Sequence, residues 1–264
     1  MKNFLLWLLA FVITGSAAVY QRTTGPTHPI RGEKKINETI IKFKLYRSHS
    51  GEGDHEIKIK AENQNMSGYI TYKRYKTDDP WTEIPLTRQD IFLIGKLPHQ
   101  PPAGKLLYKV LIEGISLTDE ELVIIRFRGD VPAAILILHV FFMFTAMFVS
   151  TRAGIQALDR KHNPRPYALW ATVLLFIGGM ILGPLVQYYA FGDFWTGFPF
   201  GTDLTDNKTL IAMIGWIAAV IAGRGGKPAR WWVLGAAILL LVVYLIPHSL
   251  LGSELDYSKL NTMS

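Results

Sequence analysis

Val131-Pro-Ala-Ala-Ile-Leu-Ile-Leu-His139-Val-Phe-Phe-Met-Phe-Thr-Ala-Met-Phe-Val-Ser150 runs for twenty residues without a Lys, Arg, Asp or Glu. A helix of that length rises about 30 Å, the thickness of the hydrocarbon core of a bilayer. Three further apolar segments come after it, Tyr167 to Phe191, Thr209 to Gly223 and Trp231 to Ile246, the last two short enough to borrow flanking residues. The sequence therefore predicts a transmembrane domain over 131–264 with four spanning helices (131–150, 167–191, 209–223, 231–246) and a C-terminal tail.

The connections between these segments differ in charge. Arg152, Arg160, Lys161 and Arg165 lie between the first two, and Arg224, Lys227 and Arg230 between the last two. Residues 192–207 contain no Lys or Arg, and the tail has only Lys259. Basic short loops stay cytoplasmic, so residues 21–130, the 192–207 loop and the C-terminus are expected to be extracytoplasmic in a multi-pass protein of the cell membrane. Trp170, Trp231 and Trp232 beside the basic loops, with Tyr188, Tyr189 and Trp195 at the other ends, fit aromatic belts.

Upstream the pattern changes. Met1-Lys-Asn3, the apolar run from Phe4 to Gly15 and then Ser16-Ala-Ala18 have the layout of a secretory signal peptide, and Phe4 to Tyr20 equally suits a short N-terminal membrane anchor. Residues 1–20 are assigned to that role, and either outcome exports the polypeptide C-terminal to them. From 21 to 130 charges recur every few residues. Thr39 to Tyr46, Glu56 to Lys60, Tyr69 to Tyr75 and Leu107 to Ile112 alternate apolar with polar, and Ser50 to Asp54, Asn63 to Asn65 and Asp78 to Pro80 supply turns between them. Short alternating strands broken this way predict an antiparallel β-sandwich, making the fold class mixed.

Within that region Leu97-Pro-His-Gln-Pro-Pro-Ala-Gly-Lys-Leu-Leu-Tyr-Lys-Val110 resembles the proline-glycine turn leading into a Tyr-containing strand of fibronectin-type-III and related immunoglobulin-like modules. The resemblance covers about a sixth of the domain. It implies a binding or spacer module rather than a catalyst, and no binding residue carries over from it.

Several function classes drop out on composition. With no cysteine among 264 residues there are no disulfides, thiolate metal sites or Cys nucleophiles. The formal charge of +7 sits where a membrane protein needs it and comes with no nucleic-acid motif, so no nucleic-acid partner is expected. The expected partners are the lipid bilayer and other membrane or extracytoplasmic proteins.

Two places carry candidate chemistry. Asp193, Asp203 and Asp206 in the 192–207 connection, with His248, Glu254 and Asp256 in the tail, fall at the same end of the bundle and make the inventory of a divalent-cation or mixed His/carboxylate site. The bland alternative is that Thr205 or Asp206 caps a helix starting near Lys208 and Pro247 ends the preceding one. His139, about 12 Å inside its helix, is a candidate ligand for haem b with His248 as the other metal ligand, or simply makes one interhelical hydrogen bond to Gln187 or a tyrosine. Gly178-Gly179, Gly183-Pro184, Gly215 and Gly235 suit close helix approach or kinks better than a substrate path. Tyr69, Tyr72, Tyr75 and Trp81 suit sheet packing better than a carbohydrate platform, and His28, His49, His55 and His99 have no metal-ligand spacing. No complete catalytic set is present. The leading expectation is a non-enzymatic membrane component with an exported binding or scaffolding domain; the alternative is a haem- or metal-dependent membrane redox protein.

Overall fold

The computed structural model describes residues 2–226, 229–247 and 254–260. They fall into two compact units, within Met1–Pro26 and Val131–Ser253 for one and within Thr27–Asp130 and Glu254–Ser264 for the other.

The first unit is helical. Its elements are α1 (Lys2–Thr24), α2 (Ala133–Leu158), α3 (Arg165–Leu175), which continues through a π-helical turn (Phe176–Leu182) into α4 (Gly183–Phe191), then α5 (Leu204–Ala222) and α6 (Arg230–Leu245). Among the described residues four segments are long and apolar enough to cross a membrane: Asn3–Thr24, Ala133–Leu158, Arg165–Phe191 and Leu204–Ala222. These are not the four expected. The N-terminal helix joins the set, and α6, at 16 residues, is the short one. The span expected from Thr209 begins at Leu204, because Asp203 caps it and the polar first turn still forms helix. The span expected to end at Ser150 runs on to Leu158, since Arg152 is buried rather than set at a boundary.

Small residues bring these helices together. An added Cβ on Gly154 of α2 would lie 2.7 Å from the Ala237 Cβ of α6, so the two helices touch nearly backbone to backbone. Around that contact Trp216, Ala146, Ala171, Leu175, Ala212 and Leu240 are closed from solvent. The π-helical turn has a local cause. Pro184 has no N–H for the carbonyl of Met180 and its ring would strike it, so the ladder slips and Gly183 N–H bonds to Gly178 O.

Helix α1 is a packed member of this unit. Ala10, Thr14 and Ala17, spaced as one helix face, are buried, whereas Phe4, Leu8 and Phe11 are exposed. Thr14 and Thr151 share a hydroxyl hydrogen bond of 3.3 Å, Arg152 donates to Asn3 Oδ1 at 2.9 Å, and the Trp7 ring lies 4.9 Å from that of Phe148.

The second unit is built of sheets. β1 (Ile30–Ile36) and β2 (Thr39–Leu45) form a hairpin. A six-stranded sheet runs β3 (Ser48–Ser50), β11 (Val123–Arg128), β9 (Lys105–Ile112), β5 (Gly68–Arg74), β6 (Thr82–Pro85), with β10 (Ile115–Ser116) also on β9. A third runs β4 (His55–Lys60), β8 (Phe92–Leu97), β7 (Thr87–Gln89). All pairs are antiparallel except β3 with β11, which is parallel, in register at Arg126 with Ser48. The expected alternation is present on β4, where His55, Ile57 and Ile59 are buried and Glu56, Lys58 and Lys60 exposed, and β9 buries Leu106, Tyr108, Val110 and Ile112. The sheets share one core: a Cβ on Gly95 of β8 would come within 2.6 Å of Ile70 on β5 and of Leu86. The tail helix α7 (Tyr257–Leu260) belongs to this unit.

Because the buried face of α1 has no room for a larger side chain, Ala10→Leu is expected to lower stability by about 1–3 kcal/mol, read as a fall in the melting midpoint of the detergent-solubilised chain. Intact mass of that material is expected to retain residues 2–24.

Candidate functional site

The connection between α4 and α5 folds around a carboxylate. Asp203 is the N-cap of α5 and accepts from Thr205 N at 2.7 Å, so the cap is neither Thr205 nor Asp206. One turn on, Asp206 Oδ2 accepts from Thr196 N at 2.7 Å, Gly197 N at 3.0 Å and Gln187 Nε2 at 3.0 Å. Asn207 Oδ1 accepts from Phe198 N at 2.6 Å. The loop approaches so closely that a Cβ on Gly197 would sit 2.6 Å from the Asp206 Cβ. Lys208 Nζ, also buried, donates to Ile246 O at 2.6 Å at the end of α6, where the negative end of the helix dipole lies. Asp206 spends one oxygen on four donors drawn from α4 and the loop, the fourth being Thr196 Oγ1 at 3.4 Å, which makes it a pin for the connection.

The other expected members lie elsewhere. Asp193 is exposed. Glu254 belongs to the β unit, where its carboxylate receives Lys76 Nζ at 2.6 Å and Lys105 Nζ at 2.7 Å. Burial acts against the Glu254 charge, but the hydrogen bonds from Lys105 and Lys76 outweigh it and hold the carboxyl below its ordinary range. Burial depresses the Lys105 ammonium, with Glu254 opposing, whereas the solvated Lys76 ammonium is raised by Glu254. Asp256 receives Ser258 N at 3.1 Å and Ser258 Oγ at 2.6 Å. His248 lies outside the described residues. His139 Nδ1–H donates to Gly178 O at 2.9 Å, so its partner is neither Gln187 nor a tyrosine but a carbonyl of the π-helical turn. Among the described residues no group of three or more His, Asp or Glu is placed to hold a metal ion.

A cluster that sequence spacing conceals lies in the β unit. His49 of β3, His55 of β4 and His99 of the turn after β8 meet around Gly53 and Phe127. His49 Nε2 and His99 Nδ1 each lie 3.1 Å from Gly53 O, and both must donate to that carbonyl. In neutral His49 the remaining Nδ1 is then an acceptor, and His55 Nδ1, 3.2 Å away, donates to it. His55 Nε2 is buried without a partner. The rings of His49 and His99 pack edge-on to Phe127, and Tyr46 lies edge-on to His55; Asp54 Oδ1 accepts from His99 N at 2.9 Å. Burial, and after it His49, push the His55 imidazole down to about 4. The separation of these residues along the chain, across two strands and a distant turn, left no local signal.

Comparison with protein-family models, with curated proteins and with solved structures found no match. The fibronectin-type-III resemblance of residues 97–110 therefore rests on that stretch, which the structure forms as the end of β8, a turn with Ala103 at a φ of 68°, and β9.

Removing the pin takes the acceptor from the Thr196 and Gly197 amides, so Asp206→Ala is expected to cost about 2–3 kcal/mol, against about 1 kcal/mol for the cap change Asp203→Ala, both measured as melting shifts. The His55 value lies below its ordinary 6.5, so the folded state binds fewer protons than the unfolded one; its contribution is complete above 6.5 and is lost as pH falls toward 4. Hydrogen exchange at residues 48–60, corrected for intrinsic rate, is expected to quicken across that window, and His55→Phe to flatten the response.

Proposed function

We propose that this chain is a polytopic membrane protein that holds a β-sandwich module on the extracytoplasmic side and serves there as a non-enzymatic binding or scaffolding component of a membrane assembly. The observation that carries this proposal is the tail. Beyond the last helix of the bundle the chain builds itself into the β unit: Tyr257, buried, accepts from Lys105 N at 2.9 Å and donates to Gln100 Oε1 at 3.0 Å, Leu255 N donates to Ala103 O at 3.2 Å, and Arg74 lies 5.0 Å over the Tyr257 ring.

Two segments that form one unit lie on the same side of a membrane. The chain between them must then cross an even number of times, which α2, the continuous α3–α4, α5 and the short α6 supply as four passages. About 24 Å of α6, at 1.5 Å per residue, is enough when flanking residues contribute. The basic connections at Arg160, Lys161 and Arg165 and at Arg224 and Arg230 assign the cytoplasmic side, and α1 adds a fifth crossing that starts there. A β unit completed by its own C-terminal segment is suited to presenting a surface to other membrane or extracytoplasmic proteins.

Since the protein has no native cysteine, single cysteines report sidedness directly. Cysteine at Asp90 and at Ser258 is expected to react with an impermeant reagent in intact cells, and cysteine at Asn163 only after permeabilisation. Reaction of Asn163 in intact cells, or opposite behaviour of Asp90 and Ser258, rejects the topology. For the assembly role, the chain at native abundance in mild detergent is expected to elute as a complex larger than its own micelle; elution as the bare monomer rejects it.

A further inference from the structure

A groove of about 480 Å³ runs along the first two turns of α3, lined by Asn163, Arg165, Pro166, Leu169, Trp170 and Val173. Its two ends differ in chemistry. At the head of the helix Arg165 has a buried Nε with no hydrogen-bond partner, and among the described residues no carboxylate forms an ion pair with it. Arg160 and Lys161, both exposed, stand in the same loop. The nearby acid, Asp159, is engaged by His162 Nδ1 at 2.6 Å and by Lys161 N at 2.9 Å. The first turn of α3 adds the positive end of its dipole, with Asn163 Oδ1 accepting from its first amide, Arg165 N, at 3.0 Å. One and two turns further along, Leu169, Trp170 and Val173 are 41%, 62% and 47% exposed, two aliphatic side chains and an indole.

We propose that this groove binds a phospholipid with a net-negative headgroup, the phosphate on Arg165 and one acyl chain along Leu169 and Val173. The proposal rests on the membrane placement of α3. Eight residues separate Arg165 from Val173, about 12 Å of helix, which matches a headgroup at the interface and the upper half of a chain below it. A free phosphate would satisfy Arg165 but leave the apolar floor uncovered. A zwitterionic lipid would bring a second cation beside an arginine that already lacks an anion, and Trp170 sits one turn in, where indole rings mark the headgroup boundary.

The full-length chain, purified in detergent and passed through nanodiscs of phosphatidylcholine with one-fifth phosphatidylglycerol, is then stripped stepwise and its retained lipid counted by native mass spectrometry. Phosphatidylglycerol is expected to outlast phosphatidylcholine. Arg165→Gln is expected to reduce that preference by about fivefold, the factor that about 1 kcal/mol per interfacial basic residue supplies, and Arg165→Lys to keep most of it. Leu169→Trp, which fills the groove from an exposed position and leaves the charge in place, is expected to abolish retention, so a folding defect in one variant does not decide the outcome. Equal retention of the two lipids by the unaltered chain, or unchanged preference in both Arg165→Gln and Leu169→Trp, overturns the proposal. Displacement of phosphatidylglycerol by millimolar inorganic phosphate also overturns it, in favour of a soluble anion. Failure of the chain to enter nanodiscs at all would reject the membrane placement itself, a result distinct from equal retention.

Discussion

In the helical unit the outward faces are apolar, so a polar group there has to find its partner inside the protein, and this constraint arranges nearly every side chain that is not hydrocarbon. Thr145, Thr151, Thr172 and Thr209 each turn a hydroxyl back to the carbonyl four residues earlier. His139 takes the Gly178 carbonyl of the π-helical turn, Lys208 the terminal carbonyl at Ile246, and Arg230 the Ala157 carbonyl through two nitrogens at 3.1 and 2.8 Å. Helix ends thus absorb cations and a helix start absorbs Asp203 and Asp206, the polarity that helix dipoles favour.

Arg152 lies where that supply runs short. It is 2% exposed, donates one hydrogen bond to Asn3, and leaves Nε and Nη1 without acceptors. Its compensation comes from ring faces, Tyr167 at 4.8 Å and Trp7 at 5.5 Å from the guanidinium carbon. Cation–π attraction grows when the pair is desolvated, to about 2 kcal/mol. Trp7 and Asn3 both come from α1, so the N-terminal helix does more than fill space against α2: it completes the shell of a buried charge on α2.

Long runs and strict periods made part of the fold legible in the sequence. Val131 to Ser150 announces a helix because nothing in it can face water cheaply, and Glu56 to Lys60 announces a strand because burial alternates residue by residue. Val123-Ile-Ile-Arg-Phe-Arg128 carried no such period, for β11 buries neighbouring residues Ile125, Arg126 and Phe127 inside the six-stranded sheet, and Phe92-Leu-Ile-Gly-Lys-Leu97 hid its alternation because the apolar Phe92 and Ile94 stand on its less buried side. The starts of α2, α3 and α6 were legible to within a turn, whereas α5 begins five residues before Thr209, and only the hydrogen bond to Thr205 N separates Asp203 from its polar neighbours as the cap. The partners of Glu254 were not legible at all: Lys76 and Lys105 lie more than a hundred residues away in sequence, and nothing local in the tail marks them.

The same constraint makes a crowd of acids next to apolar helices weak evidence for a metal. Near a low-dielectric wall every carboxylate must be matched or stay in water, so folding sorts acids by the donors within reach. Asp206 reached two backbone amides and a glutamine, Asp203 the amide of its own helix start, Glu254 two lysines, and Asp193 stayed in solvent. A metal would require several of these oxygens to face one point with their lone pairs still unspent. In the β unit the histidines obey a stricter version of the rule. The donors of His49 and His99 are both spent on one carbonyl and that of His55 on His49, so a proton reaching His55 enters at its buried Nε2, which has no partner. Burial and the neighbouring His49 oppose that charge, which is why the contribution of His55 to the fold is confined to its neutral state.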